Sequence, residues 1–103
     1  MAFESGTLEE ALATAAGDDF ALLAELRRGY VESAERQLDL LRRARCDGNW
    51  EMAALRLRGL AASFHDESLR ALADYALVAA PGEPIVVRQI AAHLGEIGGQ
   101  KAA

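Results

Sequence analysis

The chain has 103 residues, 51% of them apolar and 26% charged, a balance that fits one soluble globular domain over residues 1–103. A chain of this size buries roughly 60 to 70% of its unfolded surface, so it needs neither metal nor disulfide to fold. The net charge of -5 would repel nucleic acid unless a basic face were strongly segregated. Cys46 is the only cysteine, which excludes an intramolecular disulfide and a thiolate metal cluster, and a reducing cytoplasmic compartment is expected. The opening MAFESGTLEE carries acids where a secretory signal carries basic residues. The longest apolar stretch, YALVAA, is far short of a membrane span, so neither export nor a membrane partner is expected.

Alanine and leucine dominate while β-branched and aromatic residues are few, which predicts an all-α fold. Five helices are expected, over about 7–16, 19–45, 49–64, 66–80 and 84–98, with 99–103 as a frayed tail. Thr7 opens the first, Glu10 completes a capping box and Gly17 closes it. Asp18 and Asp19 start the second, whose apolar stripe is Leu23, Leu26, Tyr30, Ala34, Leu38 and Leu41, and the turn from Cys46 to Gly48 ends it. Arg42, Arg43 and Arg45 compensate the dipole of its last turns. Asn49 caps the third, with Trp50, Ala53, Leu57, Ala61 and Phe64 inward. Asp66 caps the fourth, with Leu69, Leu72, Ala73 and Ala76 inward, ending at the AAPGEP turn. Pro84 begins the fifth, where Val87, Ile90, Leu94 and Ile97 face the core. Short connections predict an up-down-up-down four-helix bundle of helices two to five, with the short first helix across one end.

The residues that stand out lie in WEMAALRLRGLAASF, residues 50–64. If Leu57 points inward, Leu55 lies nearly opposite, on the outer face that also holds Glu51, Arg58, Gly59 and Ala62. A glycine inside a helix costs roughly 1 kcal/mol relative to alanine. Beside a cation and a protruding leucine, such a flat spot suits close approach by another protein.

Ala54-Leu55-Arg56-Leu57-Arg58-Gly59-Leu60-Ala61 resembles the A-H-x-L-K-G-S-A helix of the histidine-containing phosphotransfer (Hpt) domains of bacterial phosphorelays. Upstream, DDFALLAELRRGYVESAERQLDLLRRARCDGNWEMAA resembles the family's long second helix and the aromatic entry to its motif helix. Downstream, SLRALADYA falls where the family has its next helix. The likeness covers about residues 18–80 and implies an Hpt-type bundle with an added N-terminal helix. The family stores a phosphoryl group on an imidazole and passes it to a receiver aspartate. Here that position is Leu55, which has no lone pair to attack with; the family's lysine is Arg58, its serine Leu60 and its turn glycine His65.

The resemblance therefore implies a pseudo-Hpt protein that docks a response-regulator receiver domain or a histidine kinase through Glu51, Leu55, Arg58, Gly59 and Ala62. No catalytic residue, metal or cofactor, and hence no enzyme, is expected. His65, about 15 Å along the axis from Leu55, is read as part of a turn, and His93 as a satisfied, partly buried side chain. The acidic pairs Glu9/Glu10, Asp18/Asp19 and Asp66/Glu67 fall at helix starts, where capping explains them. A rival reading is a general helical interaction or homodimerisation module, using an apolar surface such as Leu40, Leu77 and Val78; the chain is then a monomer or weak homodimer. A third is an active phosphotransferase in which Leu55 replaces a natural histidine.

Overall fold

A computed structural model describes residues 7–100, apart from the side chain of Gln100. It is all-helical: α1 (Leu8–Ala16), α2 (Phe20–Arg43), α3 (Asp47–Ser63), α4 (Glu67–Val78) and α5 (Pro84–Gln100), with no strand among the described residues. The start signals act as expected in three places. The side chains of Thr7, Asp19 and Asp66 accept from the backbone N–H groups of Glu10, Leu22 and Leu69, and Gly17 closes α1 at φ 65°.

Connections of three, three and five residues join α2 to α3, α3 to α4 and α4 to α5, too short to do anything but turn each helix back along the one before. In the ring so formed α2 packs on α3 and α5, and α4 on α3 and α5. The shared core includes Tyr30, Leu38, Leu41, Trp50, Leu57, Leu69, Val86, Ile90 and Leu94. Ala53, Ala54 and Ala61 of α3 and Ala73 and Ala76 of α4 are also fully buried or nearly so, and such small side chains let two helix axes approach closely. Trp50 is 2% exposed and donates its indole Nε1–H to the Ala76 carbonyl at 2.7 Å, so its polar edge is satisfied inside the core. The first helix packs mainly on α2, burying Leu12 and Ala16, with Arg27 ion-paired to Glu9.

Several expected boundaries shift. The second helix ends at Arg43, not Arg45, because Ala44 turns to extended backbone and is itself buried. The third begins at Asp47, so Asn49 lies in its first turn; Cys46 stands at the cap without a side-chain bond, and its carbonyl accepts from Trp50 N at 3.1 Å. The fourth stops at Val78, since Ala79 is extended ahead of Ala80 and Pro81. Val86 and not Val87 takes the deepest position on α5, and Glu83, just before Pro84, accepts from Val86 N at 2.8 Å. Gly99 and Gln100, assigned to a frayed tail, continue α5; residues 101–103 of that tail lie outside the described residues. Leu23, Leu26, Phe64 and Leu72 are only partly buried.

Candidate functional site

The third helix exposes the face that its phase predicts. With Ala53, Ala54, Leu57 and Ala61 buried, the opposite side presents Met52 at 51% and Leu55 at 46% exposure, together with Gly59 and Ala62. Glu51 and Arg58 flank them on the α4 side and Arg56 on the α2 side, all exposed. Leu60, at the serine position of the resemblance, is not part of this face: it is half-buried and packs against the core. A Cβ built on Gly59 would meet nothing within 4 Å, so no contact inside the chain requires glycine there.

The cation at this face is tethered, which the sequence reading missed. Arg58 Nε lies 2.8 Å from Oδ1 of Asp74 on α4, with both side chains nearly half exposed. The pair sits in high-dielectric surroundings and contributes on the order of 0 to 1 kcal/mol to stability. The pair draws the guanidinium toward α4 without burying it. Among the described residues, neither Glu51 nor Arg56 has an ion-pair partner.

Two grooves border the face. The groove between α2 and α3 is lined by Leu40, Arg43, Asn49, Met52 and Arg56. The groove between α3 and α4 is lined by Asp47, Glu51, Leu77, Val78 and Pro81, with Val78 83% exposed. The first groove thus carries Arg56 and the Asp39-paired Arg43, and the second carries Asp47 and Glu51.

At the far end of α3 a buried polar cluster ties three helices together. The helix finishes with Phe64 as its last half-turn, His65 at φ 59°, and bonds from His65 N to Ala62 O and from Asp66 N to Ala61 O, a Schellman closure with histidine where glycine is usual. Asp66 then does three things at once while only 4% exposed. Its Oδ1 accepts from Leu69 N at 3.2 Å, its Oδ2 accepts from the Tyr30 hydroxyl at 2.6 Å, and both oxygens lie 2.9 Å from His93 Nε2. Burial alone would raise the Asp66 carboxyl, but the hydrogen bonds from His93, Tyr30 and the Leu69 N–H, with the His93 charge, bring it below its ordinary value. The bond to Asp66 raises His93 against the opposing effect of burial, with the charges of Asp66 and Glu96 adding to it. Burial, then the bond to Asp66, pushes the Tyr30 phenol well above its usual range. Phe64 packs on Tyr30 with ring centroids 5.0 Å apart.

Comparison with family models, curated proteins and solved structures finds no match. In the Asp66 cluster both carboxylate oxygens, the Tyr30 hydroxyl and His93 Nε2 are engaged with one another, and His93 is 18% exposed, an arrangement suited to anchoring three helices. His65 is exposed in its turn, far from Arg58 and Gly59. Among the described residues no three of His, Cys, Asp and Glu gather in a way that would hold a metal ion, and no helix is long and apolar enough to cross a membrane. Among the residues named on the α3 face there is no imidazole; what the face offers is exposed apolar area, a half-exposed cation paired to Asp74 and an open backbone.

Proposed function

We propose that this chain is an Hpt-like protein of a bacterial two-component phosphorelay, a four-helix bundle with an added N-terminal helix that docks a receiver domain or a histidine kinase and carries no phosphoryl group itself. One observation supports the reading above the rest: Leu55, at the position of the family's phosphoacceptor histidine, stands 46% exposed on α3 beside Arg58 and an open Gly59. The resemblance in residues 18–80 supplies the class of partner. Leu55 acts as an anchor in place of a reacting group. Burying its exposed half would contribute roughly 2 kcal/mol at about 25 cal/mol per Å². Arg58 adds a charge-assisted contact to the acidic pocket of a receiver, sharing its guanidinium with Asp74. Gly59 lets the partner's loops reach the helix backbone.

Calorimetric titration of the chain with the receiver and kinase domains of its own cell tests this. Leu55→Asp and Gly59→Gln should each weaken binding by about tenfold or more at chain concentrations where it is a monomer, with helicity unchanged, because both sites face water and no contact within the chain depends on them. Equal affinity of parent and both variants would overturn the reading.

A further inference from the structure

We infer that the outward face of α3 is also the contact surface for a second copy of this chain, packed parallel to the first about a two-fold axis running along the helix. The inference does not rest on the phosphorelay reading. Exposed in succession on this face are Gly48, Met52, Leu55, Gly59 and Ala62, at steps of four, three, four and three residues. That alternation is the seam of a two-stranded coiled coil, where every step returns to the partner's side, and no charged residue interrupts it. Inside the bundle Met52 and Leu55 are only about half covered, at 51% and 46% exposure, although a helix of this length needs no apolar stripe on its wet side.

The charges choose the occupant and its direction. Glu51 and Arg56 flank the seam on opposite sides, five residues apart, and neither has an ion-pair partner among the described residues. In a parallel pair, a flanking residue of one helix meets the residue five further on across the seam, so Glu51 of each copy faces Arg56 of the other, twice by symmetry. The same operation sets the groove of Leu40, Arg43 and Arg56 in one copy against the groove of Asp47, Glu51 and Val78 in the other. Arg56 then meets the carboxylates of Asp47 and Glu51, and Leu40 and Val78, exposed at 41% and 83%, come to the same cleft. An antiparallel pair would instead oppose like flanks, placing Arg56 against its own copy and Glu51 against its own copy. Because the seam contains Leu55, any partner docking there has to displace the second copy.

Sedimentation equilibrium of the purified chain alone, from about 10 μM to about 1 mM, the range in which small interfaces associate, tests the inference. The parent should rise from the mass of one chain towards that of two. Glu51→Arg and Arg56→Glu, each placing like charges across the seam, should each raise the dissociation constant roughly tenfold, and the double variant should return it to near the parent's. Circular dichroism verifies that each variant is folded, and both positions are exposed. One-chain mass at every concentration would overturn the inference. So would single variants that associate like the parent, or a double variant that fails to recover. Since no other protein is present, a negative result here leaves receiver binding, measured separately, unaffected.

Discussion

Asp66 is the residue on which the α3–α4 end of the molecule turns, since it caps α4 and holds Tyr30 of α2 and His93 of α5 from a 4% exposed position. Its pairing with His93 makes stability depend on pH in a defined direction. The folded value of His93 lies above its ordinary 6.5, so its contribution is full below that pH and is lost as pH rises through the folded value. The folded value of Asp66 lies below 3.8, so its contribution is present above that and is lost as pH falls through the lowered value. Stability from this cluster is therefore greatest between roughly pH 4 and 6.5 and declines toward alkaline pH. Denaturant midpoints of the parent should fall over that alkaline range, whereas His93→Gln should remove the decline; equal slopes in the two proteins would refute the pairing. At the neighbouring position, His65 holds φ 59° without glycine's freedom, at a cost of about 1 to 2 kcal/mol that the closure of α3 has to offset.

At the scale of the helix, α3 carries two faces with opposite demands. Trp50, Ala53, Leu57 and Ala61 lock one face into the core, while Met52, Leu55 and Gly59 leave the other bare. The inner face was legible in the sequence because large and small apolar residues recur at helical spacing, and the exposure of Leu55 followed from its phase relative to Leu57. The helix start was not legible: Cys46 offers no capping oxygen, so Asn49 looked the better cap although the chain had already turned. Adjacent valines 86 and 87 differ by about 100° of phase, and packing, not composition, chooses between them. The Asp66 cluster joins residues 27 and 36 positions apart, beyond the reach of any local pattern; the capping role of Asp66 and a satisfied, partly buried His93 could be read, but not their pairing. Gly59 has no positive φ and open space at its Cβ, so Gly59→Ala should stabilise the isolated protein by about 1 kcal/mol, a rise in Tm of about 4–8 °C by calorimetry. A fall in Tm would mean that the backbone there needs glycine for a reason internal to the chain.

As a whole molecule, the chain is all-helical, as its composition predicts, and it has no imidazole beside Arg58, since Leu55 is there, His65 closes α3 and His93 is bonded to Asp66. Mixed with a phosphorylated receiver, it should gain no acid-labile phosphoryl group, and Leu55→His should gain one, with Arg58 placed to stabilise the charge. Label on the parent chain, read by acid lability and mass spectrometry, would contradict the proposed loss of transfer. The central claim, the proposed docking of a receiver or kinase domain on the outer face of α3, is tested most directly by amide chemical-shift mapping of the labelled chain, at a concentration where it is monomeric, titrated with receiver domains of its own cell. The account predicts that the largest shifts fall on Glu51, Met52, Leu55, Arg58, Gly59 and Ala62. Shifts centred on α5 or α1, or none with any receiver or kinase, would contradict it.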